Sequence, residues 1–563
     1  MRRPEKACPV LAVPVALLLA LLAMGAAVFS AAAQEPAATQ QPAAEQPAAE
    51  RSDVARFRQR VETALASNGA ERGYWGALVV DAETGETLYA LNADHYFKPA
   101  SNIKLFTTTM ALATLGPDFR VRTTIEAAGT FDRAGRLRGD LVLVGRGDAN
   151  LSNRVFPFAK QGERAGPADK VLAELADQVV ARGVKQVRGD IVADDSYFAP
   201  ARFPPGWTVD DTVWSYGAAV SAIAVNDNFL SLVVRPGAAA GAPVRISWEP
   251  WPGPYTVRNE ARTVAAGTAD ATLELSRDPE SRVFRLGGTL AADAPARSLS
   301  LAVPEPAELA AAQLKRLLEA RGVRISGRSR ARHAGEAAPA ARPSAPVVVA
   351  ERLSPPLIED MRLTNKMSQN LHAELMLRVA AKEGAGAETL EQALEFTAQF
   401  REGIGLAPRD VLQSDGSGLS RNGLATPQSV AGVLLYAARQ TWGEEFASTL
   451  PVAGEDGTME NRMKGTAAAG RVRAKTGTIN SAVALSGYAT SLRGQRLVFS
   501  LFGNNYAGNG RDAASVLDAV CVAMVEELGV DSESSGEALA EPPAEPPAEP
   551  PAPPPAEPLS SQP

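Results

Sequence analysis

Three short motifs carry the side chains with which this sequence could perform acyl transfer. In chain order they are Ser101-Asn102-Ile103-Lys104, Ser368-Gln369-Asn370 and Lys475-Thr476-Gly477. A serine hydroxyl is a poor nucleophile near neutral pH, so it needs a neighbouring base to take its proton. Lys104 follows Ser101 by one helical turn, and its amine can act as that base if low polarity or a second cation keeps it neutral. The first motif therefore predicts a serine nucleophile with a lysine base.

The second and third motifs supply groups that such a nucleophile needs around it. Ser368 and Asn370 can direct a hydroxyl and an amide into one site, where they relay the proton and hold the backbone of a peptide substrate. Lys475 can be the second cation, and together with Thr476 it is suited to receive a substrate carboxylate. Gly477 leaves room for the backbone of a ligand to approach closely. Together the motifs indicate covalent catalysis on a peptide.

Local patterns predict the elements that position these motifs. Pro99 precedes Ser101, and an apolar pattern with helical spacing continues until Gly116-Pro117, so Ser101 is expected at the start of a helix. A helix N-terminus favours a developing anion. Residues 472–478 alternate as a strand does, and a substrate can bind along the edge of that strand as an additional strand.

The sequence resembles a family, the class C low-molecular-mass penicillin-binding proteins, which are D-alanyl-D-alanine carboxypeptidases and endopeptidases. The three motifs occur in the family's order, and five further segments look like the family's own. They are Gly189 to Ser196, Pro205-Gly206-Trp207, Ser221 to Asn228, Asp415 to Arg421 and Leu450 to Gly457. The resemblance implies an α/β (α+β) fold, in which a penicillin-binding serine transpeptidase-like domain has an antiparallel sheet flanked by helices and is interrupted by a large, mostly β insert.

The same resemblance implies a reaction on peptidoglycan stem peptides, with β-lactam antibiotics as inhibitors. Ser101 is expected to attack the carbonyl of the penultimate D-Ala, while the backbone N–H groups of Ser101 and Thr478 hold the oxyanion. Asp194 and Arg421 match family positions suited to bind the ammonium and carboxylate of a diaminopimelate side chain in the stem peptide. A buried ion pair or a capped turn is the alternative interpretation of these two residues.

Charge and residue spacing argue against several other classes of function. The net charge of −7 and the absence of a basic stripe argue against a nucleic-acid partner. His95, His333 and His372 show no metal-ligand spacing and no cysteine pair supplies a zinc site, so we expect neither a metal nor another cofactor. Gly416-Ser417-Gly418 lacks the context of a Gly-x-Ser-x-Gly nucleophile, and Ser417 is interpreted as a turn residue.

The chain of 563 residues is long enough for two or three domains. A basic start, a long apolar run and Ala31-Ala32-Ala33 predict a secretory signal peptide and hence export to the periplasm or extracytoplasmic cell envelope, with an uncleaved membrane anchor as the alternative. Lys104 and Ser368 must meet in one site, so the long sequence between them is expected to contain inserted domain material. The predicted organisation is a signal peptide (1–33), an Ala/Pro/Gln-rich linker (34–52), a split catalytic domain (53–119 and 343–531), an insert (120–342) and a disordered Pro/Glu/Ala tail (532–563).

Two other functions share parts of this pattern. A β-lactamase uses the same three motifs, but no Glu-x-x-Leu-Asn segment occurs between Ser368 and Lys475. A catalytically inactive wall-binding protein is disfavoured because every motif residue is intact. The sequence leaves open the balance between carboxypeptidase and endopeptidase activity, and the oligomeric state.

Overall fold

The computed structural model describes residues 51–67, 70–159, 162–279, 281–336, 346–506 and 510–529. The predicted signal peptide and tail, and all of the predicted linker except its last two residues, lie outside this part of the chain. Within it, we find no helix with both the length and the apolar character that crossing a membrane requires.

The N-terminal described residues form a helix, a hairpin and a second helix. Their bounds are α1 Ser52–Leu65, β1 Tyr74–Asp81, β2 Thr87–Leu91 and α2 Ile103–Leu115. The hairpin turn is closed by the Asp81 carboxylate, which accepts the backbone N–H groups of Glu83 and Thr84. The sequence patterns at 53–66 and 76–91 predict a helix and a hairpin, and the structure has both.

The middle of the chain is mostly β-structure. Its elements are β3 Arg122–Phe131, β4 Arg136–Val144, β5 Asp148–Leu151, α3 Lys170–Ala181, β6 Gln186–Val187, β7 Ile191–Asp194, β8 Ile223–Val225, β9 Phe229–Arg235, β10 Arg245–Glu249, β11 Thr256–Asn259, β12 Arg262–Val264, β13 Leu273–Ser276, β14 Val283–Ala291, β15 Arg297–Ala302, α4 Pro306–Ala320, β16 Arg324–Ile325, β17 Ser329–Arg332 and β18 Val347–Leu353. Seven of these strands, β3, β4, β6, β7, β16, β17 and β18, form one sheet, on which α3 and α4 pack.

Two features of this region differ from the sequence analysis. The pattern at 307–321 predicted a single helix, which is α4, whereas α3 was missed although its apolar residues Leu172, Leu175 and Val179 recur with helical spacing and are buried. Strand β18 pairs antiparallel with β3, so the chain leaves this sheet after Leu353 rather than at the predicted boundary near residue 343.

The C-terminal part returns to a helical layer and completes a second sheet. Its elements are α5 Leu357–Met367, α6 Asn370–Ala385, α7 Leu390–Gly403, β19 Val411–Leu412, β20 Leu424–Ala425, α8 Pro427–Ala438, α9 Gly443–Ser448, β21 Val472–Ile479, β22 Ala482–Thr490, β23 Arg496–Asn504 and α10 Gly510–Glu527.

A five-stranded antiparallel sheet in the order β2-β1-β23-β22-β21 combines strands from the two ends of the described chain. Helices α1 and α10 cover one face, and the buried thiol of Cys521 lies in this core. Helices α2, α6 and α8 pack against the other face. The mixed fold, with an antiparallel sheet between helical layers, confirms the predicted fold class.

Candidate active site

The first motif lies where the chain enters α2. Ser101 occupies a short 3-10 turn, Ala100–Asn102, and the α-helix itself begins two residues after Ser101, at Ile103. The helical spacing brings the Lys104 Nζ to 3.1 Å from the Ser101 Oγ. Lys104 also donates to the Asn370 Oδ1 at 2.6 Å and to the backbone carbonyl of Ser417 at 2.7 Å.

These contacts suit the Lys104 amine to act as a base. Burial lowers the pKa of Lys104 to about 7, although the nearby charges of Asp415 and Glu374 act in the opposite direction. A neutral amine has two N–H bonds and one lone pair. Two carbonyl-type oxygens, on Asn370 and Ser417, can accept the two N–H groups, which leaves the lone pair for the Ser101 hydroxyl.

The second motif follows the end of α5. Ser368 caps this helix in a left-handed conformation, with φ of 57°. Its Oγ accepts a hydrogen bond from the Lys475 Nζ at 2.9 Å. Two residues later, the Asn370 side chain spans two contacts, because its Oδ1 accepts from Lys104 and its Nδ2 donates to the carbonyl of Tyr216 at 2.8 Å. Asn370 therefore links the base to the insert.

The third motif lies on β21, the edge strand of the five-stranded sheet. Lys475 is fully buried, and its pKa is well below its usual value because of that burial and the neighbouring charge of Lys104. Its amine donates to Ser368 and to the carbonyl of Thr476. Ser368 and the strand are thus the partners of this amine here, and the expected contact of Lys475 with a substrate carboxylate stays a prediction.

The other residues of this part of the strand differ in their contacts and exposure. The Thr476 hydroxyl lies 2.7 Å from that of Thr458, whereas Thr478 is exposed. A Cβ atom on Gly477 would lie 2.9 Å from the Pro99 carbonyl oxygen, so this glycine makes room for the turn that carries Ser101. The sequence analysis expected it to make room for a ligand, which stays a prediction.

The motifs border an open cleft of about 740 Å³. Residues of the insert, of the 418–421 turn and of the end of β21 contribute to it. Its lining residues are Ser101, Asp211, Tyr216, Ser368, Asn370, Gly418, Leu419, Arg421, Thr478, Ile479, Asn480, Ser481, Tyr506 and Gly510.

The two residues expected to bind a diaminopimelate side chain have different surroundings. Arg421 lines the cleft, where its guanidinium is paired with the Asp211 carboxylate. Asp194 ends β7 in the insert and is paired with Arg332 on β17, with 2.9 Å between its Oδ2 and the Nε. The Asp194 carboxylate is held by this ion pair and is not among the residues that line the cleft, so its contact with the diaminopimelate side chain stays a prediction. Asp211, which the sequence analysis missed, does line the cleft.

The sequence analysis also missed the contact between the 415–420 turn and the Lys104 amine. The Asp415 carboxylate closes this turn by accepting the backbone N–H groups of Gly418 and Ser420, both at 2.7 Å. Ser417 is a turn residue, as predicted, but its carbonyl oxygen contacts the Lys104 amine. The aspartate and glycines around Ser417 signal a turn, whereas no side-chain motif encodes a backbone carbonyl contact.

Across the described ranges, no cluster of three or more histidine, cysteine or acidic side chains has the arrangement of a metal site. The groups that the three motifs offer for chemistry are hydroxyl, amine, amide and backbone groups, and the cleft adds the paired charges of Asp211 and Arg421.

Comparison with known proteins decides the family. A model of the D-Ala-D-Ala carboxypeptidase 3 (S13) family matches residues 57–524. The chain belongs to this peptidase family. It is 35% identical over 486 residues to the D-alanyl-D-alanine carboxypeptidase of Actinomadura sp. (strain R39), which covers 84% of this chain and 86% of that protein. It is 25% identical over 441 residues to the D-alanyl-D-alanine carboxypeptidase DacB of Haemophilus influenzae, with 77% and 85% covered.

A solved structure has the same fold. The crystal structure of penicillin binding protein 4 (dacB) from Haemophilus influenzae superposes with a TM-score of 0.69 at 23% identity, covering 83% of this chain and 97% of that one. The predicted family, fold class and enzyme class are thus confirmed, and the chain is a serine-type D-Ala-D-Ala carboxypeptidase in its family.

Proposed function

We propose that the peptidase activity is the cleavage of peptidoglycan stem peptides through an acyl-enzyme on Ser101. The observation that carries this assignment is the position of the Lys104 amine between the Ser101 hydroxyl and two carbonyl-type acceptors. A base in that position takes the Ser101 proton as the hydroxyl attacks the carbonyl of the penultimate D-Ala. The backbone N–H groups of Ser101 and Thr478, which both border the cleft, then bind the oxyanion.

The second motif completes acylation. The proton that Lys104 takes from Ser101 must pass to the D-Ala amine as it leaves, which returns Lys104 to its neutral form, and the Ser368 hydroxyl, held by Lys475, is suited to relay that proton. Water then attacks the acyl-enzyme, with Lys104 again as the base. The products are free D-Ala, or a released stem peptide when the substrate is a cross-link, and the shortened donor peptide.

We assign binding of the substrate's terminal carboxylate to two threonine hydroxyls that lie close to the buried Lys475 amine. Thr478 is exposed at the cleft and Thr476 is partly exposed next to it. Lys475 directly precedes Thr476 on the strand and donates to the Thr476 carbonyl at 2.8 Å. An anion bound to the two hydroxyls favours the protonated form of this amine and is attracted to it, without displacing Lys475 from Ser368.

We expect an amidated D-Ala-D-Ala substrate to be cleaved more slowly than the free acid. Removing the charge should cost about 2 to 4 kcal/mol of transition-state binding, because the threonine hydroxyls and Lys475 lose an anionic partner. The measurement is kcat/KM for a matched pair of acid and amide peptides. Equal values for the two peptides would contradict the carboxylate assignment.

The paired charges of Asp211 and Arg421 suit a zwitterionic side chain on the stem peptide. Both residues line the cleft, where they form an ion pair between the insert and the 418–421 turn. An ammonium can pair with Asp211 and a carboxylate with Arg421, so a diaminopimelate side chain satisfies both charges. Asp211 takes the role that the sequence analysis gave to Asp194.

The Arg421→Ala variant should lose selectivity for diaminopimelate-containing peptides. We expect its kcat/KM to fall about tenfold for such peptides, while its rate of penicillin acylation stays close to that of the unaltered protein, because penicillin lacks the side chain. Arg332→Ala is the matched control, since it breaks the Asp194 ion pair outside the cleft. Equal losses with penicillin and with peptide in Arg421→Ala would mean that the residue supports the fold instead.

Digestion of purified muropeptides tests the function as a whole. Release of D-Ala from monomers identifies the carboxypeptidase reaction, and conversion of dimers to monomers identifies the endopeptidase reaction, with mass spectrometry of both product sets. A rapid steady-state turnover of nitrocefin, rather than a single stoichiometric burst, would favour the β-lactamase alternative.

A bound β-lactam in a relative supports the proposed inhibition, and the location of peptidoglycan supports the proposed export. A Haemophilus influenzae penicillin binding protein 4 structure contains a bound β-lactam, so we propose that β-lactams acylate Ser101 here.

Peptidoglycan lies outside the cytoplasmic membrane, so the proposed substrate requires export to the cell envelope. Fluorescent penicillin added to intact cells that express the protein would locate the labelled enzyme.

A further inference from the structure

A buried glutamate lies directly behind the proposed base. Glu374 follows Asn370 by one turn of α6, and its side chain has no exposed surface. Its Oε1 accepts the backbone N–H groups of Gly416 at 2.8 Å and of Ser417 at 2.9 Å. Ser417 is also the residue whose carbonyl accepts the Lys104 amine. One carboxylate oxygen therefore holds the peptide units that present an acceptor to the base.

Glu374 makes the side-chain hydrogen bonds that attach this turn to α6, and the other contacts of the turn involve other elements. The Gly416 carbonyl accepts the Thr107 hydroxyl at 2.8 Å. The Asp415 carboxylate bonds to groups within the turn and to the Trp207 Nε1 at 2.9 Å. Only Glu374, among the described contacts of the turn, supplies a charged acceptor from the helix that also carries Asn370. Both Lys104 acceptors are thus fixed by the start of α6.

The charge of Glu374 also reaches the base. Four charged groups surround the Lys104 amine and Glu374: Asp415 in the turn, Arg378 on α6, Lys475 on β21 and, beyond Arg378, Glu391 on α7. Burial, with the charge of Asp415, raises the pKa of Glu374 to about 7. Its Oε2 is buried and makes no hydrogen bond in the described structure. A glutamate charge in this place stabilises the ammonium form of Lys104.

We propose that Glu374 is a positioning residue for the Lys104 base, which orients the amine through the Ser417 carbonyl and sets the pH range in which that amine can accept a proton. The proposal rests on the function proposed for Lys104. The Glu374 side chain makes two separate contributions. The hydrogen bonds of its Oε1 determine where the Lys104 amine lies, and its negative charge affects the pH at which that amine becomes neutral.

Glu374→Gln removes the charge and keeps the shape. The amide oxygen can accept the same two N–H groups, and the amide nitrogen takes the place of the unpartnered Oε2. Loss of the negative charge makes the ammonium form of Lys104 less stable, so the amine stays neutral at lower pH. Because Glu374, with a pKa of about 7, carries its charge only near and above pH 7, we expect the upper part of the acidic limb of penicillin acylation to move to lower pH. Acylation near pH 7 should become about threefold faster, and the two rates should converge well below pH 7.

Glu374→Asp makes the opposite change, because it keeps the charge and shortens the reach. We expect its acidic limb to stay where it is in the unaltered protein, while the acylation rate falls about tenfold at every pH as the Ser417 carbonyl moves away from the amine. This variant keeps the proposal testable if the glutamine variant does not fold. A purely structural glutamate would lower the melting temperature in both variants without moving the acidic limb in either.

The experiment measures second-order acylation by fluorescent penicillin across the pH range, with the melting temperature of each variant recorded at the same pH values. Glu383→Gln is the control, because it removes an exposed carboxylate near the other end of α6 and should leave the profile unchanged. An acidic limb in Glu374→Gln that coincides with that of the unaltered protein would overturn the proposal, as would an equal shift in Glu374→Asp. Failure of the unaltered protein to react with penicillin at any pH would instead overturn the proposed function.

Discussion

The Ser101→Ala variant is expected to show no covalent labelling by fluorescent penicillin and no release of D-Ala from stem peptides. The acyl-enzyme is an ester of the Ser101 oxygen, and an alanine side chain has no atom that can form it. The loss should therefore be complete within detection, rather than a reduction. Gel fluorescence after incubation with labelled penicillin, and mass spectrometry of muropeptide products, measure the two activities.

The fold of this variant should remain intact. Ser101 is only partly buried, and among the described contacts its Oγ is bonded to the Lys104 amine alone. Its melting temperature should therefore lie close to that of the unaltered protein. Ser417→Ala is a useful comparison, because it removes a hydroxyl from the neighbouring turn but keeps the carbonyl that Lys104 contacts. Labelling of Ser101→Ala at the normal rate would show that another residue is the nucleophile.

The second large effect is expected for Lys104→Met. Methionine fills a similar volume but cannot accept a proton, so acylation should slow by about 10²- to 10⁴-fold, as is usual for the loss of a general base. The variant should also lose the acidic limb of its pH profile. In the unaltered protein that limb falls near pH 7, because the Lys104 amine is protonated below its pKa of about 7 and then has no lone pair for the Ser101 proton.

Stability provides the necessary control for Lys104→Met. The Asn370 Oδ1 and the Ser417 carbonyl each lose a donor in a buried place, which should cost about 1 to 3 kcal/mol per unpaired group. Folding is checked by the melting temperature, and the acylation rate is compared at a temperature where the variant is fully folded. Retention of the acidic limb near pH 7 in the folded variant would identify a different base.

Local spacing made the first motif predictable. Ser101 and Lys104 are three residues apart, and helical geometry alone brings the side chains together. The three motifs in order also indicated that Ser368 and Lys475 meet, and they do, at 2.9 Å. A sequence motif does not encode burial, however. Lys475 is enclosed by its own strand and by Ser368, and its direct contact with a carboxylate stays a prediction.

Long-range pairing limited the prediction for the insert. Asp194 and Asp211 are both acidic residues in the same region, and neither position reveals its partner. The parallel pairing of β7 with β17 brings Arg332 to Asp194 across 138 residues of sequence, and Arg421 reaches Asp211 across 210. Such partners are set by the topology of the sheets. The carbonyl of Ser417 was unpredictable for a related reason, since every residue has a carbonyl and only the fold selects one.

The contact between Asn370 and Tyr216 means that the proposed reaction with β-lactams also depends on the insert. The Tyr216 carbonyl belongs to the insert, yet it holds the amide that orients the base. Substitutions around residues 215–217 can therefore displace that amide and slow acylation while all three motifs remain unchanged. A survey of resistance that sequences only the motif segments would overlook them. Equally, excising the insert to obtain a smaller catalytic fragment for inhibitor screening would yield an enzyme with altered reactivity toward the drugs under test.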